Sequence, residues 1–249
     1  MRSRVLPALA IGVLLVGGAC GDDDEDARRD TTTSSSTTTT MALPDYSNFA
    51  STDQVALNLD KSIMTKAEVQ AALGLSAPPA EYRGTGNSPP PPQGPLNLDG
   101  MAAVFPSPAY KDALVDGKAT VGANRTAADA ASGRVINILA VKFESAASAQ
   151  KFVVFATNVA TSLGNAKVVP HPEFKVGVLP GQVVRVPPSQ GATPPTEIVV
   201  ASVLYANGLY YQMSITAPVD AVTDDTAIAF AKAQHAKYEL RVLELNLGG

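Results

Sequence analysis

The chain has one cysteine, no tryptophan and two histidines in 249 residues. A lone thiol, Cys20, excludes an intramolecular disulfide and any thiolate-based metal site. His171 and His235 form no His-x-x-x-His pair, so the commonest metal-ligand spacing is missing too. Charged residues make up only 17%, with no cluster of Lys and Arg. Without that electrostatic footprint, nucleic acid is not an expected partner. There is no Gly-x-Ser-x-Gly elbow, no GxGxxG and no Walker A loop, which removes the common nucleophile and phosphate sites. These absences predict no enzyme activity, no cofactor and no metal site. No apolar run approaches the roughly 20 residues that a spanning helix needs.

What is present begins at the N-terminus. Arg2 and Arg4 form a positive n-region, and residues 5–16 (VLPALAIGVLLV) are an apolar stretch of signal-peptide length. The stretch ends in Gly17-Gly18-Ala19-Cys20, which resembles the bacterial lipobox, with Gly17 where a Leu is usual. Residues 1–19 are therefore expected to be a lipoprotein signal peptide and Cys20 the lipidated first residue of the mature chain. The implied diacylglycerol carries two acyl chains, and at about 0.8 kcal/mol per buried CH₂ it holds far more firmly than one. Residues 21–30 hold six acids against two arginines, and residues 31–40 are only Ser and Thr. Neither tract can bury enough apolar area to offset chain entropy, so residues 20–43 read as a disordered linker. About twenty such residues span roughly 25 Å. The acids are expected to be a solvated stretch, because a flexible tail lacks the fixed geometry of a cation site.

From residue 44 to 249 the composition predicts a single domain. Thr65-Lys66-Ala67-Glu68 is a capping box opening a helix that Gly74 stops, with Ile63 or Met64 as its staple. Residues 76–95, with four prolines at 89–92, read as a stiff surface loop. Residues 134–144 (RVINILAVKFE) form the strongest strand, and apolar residues on both faces predict a central place in a sheet. A helix follows over residues 145–163, capped by Ser145 and stopped by Gly164-Asn165. Short strands are expected at 167–169 and 182–186. Residues 196–217 form a hairpin about Asn207-Gly208. A two-residue type I′ turn there places Leu204 opposite Tyr211 on a core side and Tyr205 opposite Tyr210 on the other. A last helix covers about 224–240, with His235 on its apolar stripe as a core-edge residue. The order predicts an α+β fold, a mostly antiparallel sheet with helices packed on one face.

The lipobox cysteine, the acidic and Thr/Ser-rich tether, the helix "MTKAEVQAALG", the passage "VKFESAASAQKF" and the hairpin "VLYANGLYYQMS" together resemble uncharacterised cell-envelope lipoproteins of mycobacteria and related actinobacteria. The resemblance implies a small α+β domain similar to extracellular sensor domains, with no catalytic residues to carry over. It implies a location on the outer face of the cytoplasmic membrane. The disulfides common in the sensor relatives are absent here.

The expected function is a membrane-anchored envelope lipoprotein whose non-catalytic domain binds a small ligand or a protein, with Tyr205 and Tyr210 as an outward contact pair. The alternatives are a carrier of an apolar or lipid molecule, which requires a continuous apolar cavity, and an envelope hydrolase, which requires a cleft holding His171 or His235 beside a carboxylate.

Overall fold

The computed structural model describes residues 47–84, 89–105, 107–188, 194–245 and 247. The expected signal peptide (1–19), Cys20 and the linker (20–43) lie outside the described residues. After a short 3₁₀ turn (Ser47–Phe49) come α1 (Gln54–Ser62), α2 (Lys66–Leu73), β1 (Ala80–Glu81), β2 (Gly94–Leu96), α3 (Leu98–Ala103) and α4 (Ala109–Asp116). The chain continues through β3 (Ala119–Asp129), β4 (Arg134–Phe143), α5 (Ala146–Gly164), β5 (Lys167–Pro170), β6 (Gln182–Val186), β7 (Thr196–Leu204), β8 (Leu209–Pro218) and α6 (Asp224–Arg241). It is an α+β fold, an eight-stranded sheet in the order β1-β3-β4-β8-β7-β6-β5 with β2 also on β3, and every pairing is antiparallel.

Local chemistry sets several of these elements. Thr65 caps α2 by accepting from the Glu68 N–H, while the Glu68 carboxylate accepts from the Thr65 N–H at 2.7 Å. Gly74 then ends the helix with φ 61°, a left-handed conformation that costs glycine least. Ser145 caps α5, and Asn165 closes it at φ 51°. β4 is central, flanked by β3 and β8.

The helices cover both faces of the sheet rather than the one expected. Ile136, Ile138 and Ala140 of β4 share a core with Leu59 of α1, Val69 of α2 and Ile228 and Phe230 of α6. The alternate residues Leu139, Val141 and Phe143 pack instead with Met101 of α3, Leu114 of α4 and Phe152 of α5. Side chains alternate along a strand, so a strand apolar on both faces needs cover on both. The proline segment is a loop as expected, but alternate prolines turn inward rather than lying on the surface. Pro90 and Pro92 are buried, and the Pro92 carbonyl accepts a hydrogen bond from the Asn124 amide of β3 (2.8 Å).

The hairpin register differs from expectation by one residue. Leu204 pairs with Tyr210, and Val203 with Tyr211. Of the two turn residues only Gly208 has positive φ (81°), whereas a type I′ turn needs both. Tyr205 N–H donates to the Leu209 carbonyl (2.9 Å) and Gly208 N–H to the Tyr205 carbonyl (3.0 Å), closing a three-residue loop over 206–208. Tertiary contacts hold this form: the Asn207 amide donates to the Leu247 carbonyl (2.6 Å) and the Gly208 carbonyl accepts from Phe143 N–H (2.9 Å). A Cβ at Gly208 would meet the Phe143 carbonyl oxygen at 2.7 Å.

Candidate functional site

That single-residue shift decides the fate of the two tyrosines, because a slip of one moves side chains to opposite faces. Tyr205 and Tyr210 are not a pair. Tyr205 turns under α6, 9% exposed, with its ring centroid 4.0 Å from that of Tyr238 and its hydroxyl hydrogen-bonded to His235 Nδ1 (2.8 Å). Tyr210 turns under α5, 2% exposed, and its hydroxyl bonds Ser202 Oγ (3.0 Å). Burial raises both phenols, Tyr210 to about 12. They are core residues, not an outward contact patch. His235 stands at the edge of the core as expected, with Nε2 3.8 Å from Glu239.

An open surface does exist elsewhere. Along β8, burial alternates strictly from Tyr211 to Ala217: Tyr211, Met213, Ile215 and Ala217 are buried, while Gln212, Ser214 and Thr216 are half-buried. The half-buried set shares its face with the α5 core, whose aromatic centre lies at the Phe143 and Tyr210 end. Register extends the row across the sheet, from Asn137 through Ser214 and Val200 to Val184 and Val168. A second row runs through Val135, Thr216, Ile198 and Val186. Every member of these rows is half-buried, apart from Val168, which is exposed. The floor is uncharged. At its margin the Asn137 amide donates to Asn124 Oδ1 (2.7 Å) and Thr126 Oγ1 (2.8 Å). Ser214 and Thr216 hydroxyls have no hydrogen-bond partner among the described residues.

A second feature gathers residues from four separate segments at the start of α6. His171 Nε2 lies 3.0 Å from Asp224 Oδ2, and its Nδ1 lies 2.7 Å from Glu173 Oε1. Arg185 donates to Asp224 Oδ1 (2.6 Å), Glu197 Oε1 (2.9 Å) and the Val222 carbonyl (2.7 Å). Beside them is an open cavity of about 410 Å³ lined by Arg185, Asp220, Val222, Thr223, Asp224 and Asp225. Ionised carboxylates only accept, so carboxylates at both ring nitrogens favour the protonated imidazole. Its hydrogen bonds to Asp224 and then Glu173 raise the His171 pKa. Burial alone would raise Asp224, but hydrogen bonds from His171 and Arg185 hold it below its ordinary value. This is a histidine held between two carboxylates, one against each ring nitrogen. No sequence spacing announces the cluster, since positions 171, 185, 197 and 224 meet only through the fold.

One further spacing, Ser148-x-x-Lys151, belongs to a known nucleophile motif. Here Ser148 lies in the first turn of α5, hydrogen-bonded to the capping Ser145 (3.0 Å), and Lys151 is exposed. Among the described residues no group of three or more His, Cys, Asp or Glu side chains is placed to hold a metal ion, and no helix is long and apolar enough to cross a membrane.

No protein-family model matches the chain, and no curated protein matches it. Among solved structures it is similar to the extracellular domain of PknH from Mycobacterium tuberculosis, at 14% sequence identity and a TM-score of 0.47, covering 74% of this chain and 95% of that one.

Proposed function

We propose that the chain is an exported envelope protein, tethered to the membrane through a diacylglycerol on Cys20, whose domain binds an uncharged ligand rich in hydrogen-bonding groups and performs no chemistry on it. The observation that supports the binding reading is the open half of the sheet face. Ser214, Thr216 and Asn137 offer hydroxyl and amide groups beside Val184, Val200 and Ile198, on rigid strands with no charge among them. Such a floor suits a neutral oligosaccharide, with hydroxyls for the polar row and carbon faces for the valines. The tether reading rests on the sequence around Cys20. The alternatives draw less support: the two cavities described are lined by ionic side chains, whereas a lipid carrier needs apolar walls, and His171 is held between two carboxylates.

The test is amide chemical-shift mapping with a panel of neutral oligosaccharides and a counter-panel of sulfated ones. A neutral binder is expected to move resonances of residues 198–202 and 212–216, and Ser214→Tyr to abolish the response while the rest of the spectrum persists. Binding that leaves β7 and β8 unmoved, or that only the sulfated panel produces, overturns the reading.

A further inference from the structure

The end of α6 packs on one side only: Val242, Leu245 and Leu247 join the core, while the opposite side faces water. Beyond the buried Tyr238, Leu240 is 77% exposed and Leu243 is 92% exposed. Helical hydrogen bonding continues past Arg241, with Val242 N–H donating to the Tyr238 carbonyl and Leu245 N–H to that of Arg241, both at 2.8 Å. The two leucines, three residues apart, therefore project from one side of the helix. Val55 of α1, 40% exposed, belongs to the same end, since the amide of Asn58, on the next turn, donates to the Leu245 carbonyl (2.7 Å). Single exposed leucines are ordinary; grouped ones mark a contact surface.

The surroundings identify the partner. Next to the leucines is a cavity of about 410 Å³ whose lining includes Lys61, Arg125, Lys237 and Arg241 together with Asp60 and Glu244. Arg125 pairs with Asp60, Lys237 with Glu68 and Arg241 with Glu244. Lys61 has no ion pair among the described residues. The described chain starts at Ser47 and leads into α1 through its cap, Asp53. Asp53 precedes by five residues Asn58, whose side chain holds the Leu245 carbonyl.

We infer that this end of α6 is a foot that rests on the membrane, with Leu240 and Leu243 in the interfacial layer of a phospholipid bilayer and the Lys61 and Arg241 heads at the level of the phosphates. The inference rests on the proposed tether at Cys20. A short tether holds the domain at roughly millimolar effective concentration over the lipid, so even a millimolar affinity keeps the foot down. Leucines that insert while cationic side chains stretch to the headgroups is the usual division of labour at such a surface. Resting on its foot, the domain takes a fixed orientation instead of tumbling on its linker.

The absence of tryptophan and the single cysteine make the test direct. The chain from Cys20 to Gly249 keeps every described residue and is coupled through its thiol to maleimide-bearing lipid in phosphatidylcholine vesicles containing phosphatidylglycerol. Leu243→Trp is expected to shift its emission to the blue on coupling and to be quenched by brominated acyl chains. Val219→Trp, 41% exposed beside the opposite end of α6, is expected to do neither. An unshifted, unquenched Trp at 243 overturns the inference, and so does equal quenching at both positions, which would mean adsorption without a preferred face. Chemical coupling makes the outcome independent of lipidation in the cell. That is read separately, as fatty-acid label lost in Cys20→Ser.

Discussion

From Tyr211 to Ala217 a single strand presents two different surfaces. Its odd-numbered residues lie under α1, α2 and α6, where polar atoms find partners: the Ser62 and Tyr211 hydroxyls share a hydrogen bond (2.5 Å), and the Gln234 side chain joins the Met64 N–H (3.1 Å) to the Ser62 carbonyl (2.9 Å). Its even-numbered residues lie on the face that α3, α4 and α5 cover at one end only, and there Ser214 and Thr216 keep unused hydroxyls. The sealed face must satisfy its polar groups internally, because an unpaired buried group costs about 1 to 3 kcal/mol. The open face bears no such constraint, and it can hold polar side chains free for something else.

The contrast can be broken most forcefully at Tyr211, which is fully buried in the sealed face and in edge contact with Tyr205 and Tyr238. Tyr211→Ala is expected to cost about 3 to 5 kcal/mol in denaturant unfolding, as for other large aromatics. A loss below about 1 kcal/mol would mean that this face is not the better packed one.

At the rim of the sealed face the His171 clamp makes stability depend on pH. Its pKa is raised in the fold by hydrogen bonds to Asp224 and Glu173, so its contribution is complete below the ordinary value of 6.5 and fades as pH rises through the folded value. Asp224 and Glu173 are shifted the other way, and their contributions are lost only in acid. The Tm advantage of the natural chain over His171→Gln is expected to shrink as pH rises above the ordinary histidine value of 6.5. A constant gap would show that the clamp carries no proton-linked stability.

The smallest effect belongs to the open face. Ser214→Ala is expected to change unfolding free energy by no more than about 0.5 kcal/mol, as at ordinary surface positions. A cost several times larger would show that the hydroxyl has a structural partner, and the binding floor would lose one of its members.

Much of the α+β layout was legible in the sequence where a local rule acts alone. The capping box of α2, the apolar alternation of β4, the Ser145 cap of α5 and the Asp-rich start of α6 all declare themselves within a few residues. β3 did not. Its segment ATVGANRTAAD is poor in β-branched and aromatic residues, and it is a strand because β4 on one side and β1 and β2 on the other pair with it. The unexpected helices α1, α3 and α4 are short, at nine, six and eight residues, too short for the periodicity of an amphipathic helix to register.

The sequence by itself determined which segments are strand and helix wherever a cap or a hydrophobic period is strong, that β4 is central, and that no disulfide staples the domain. Tertiary structure decided the hairpin register, through the grip of Phe143 and Leu247 on the loop at 206–208, and with it the burial of Tyr205 and Tyr210. It also decided which half of the second face stays open and that His171 meets Asp224 and Arg185. The physical reason is range: propensity and capping act over a few residues, whereas a register or an ionic cluster depends on groups brought together from distant parts of the chain.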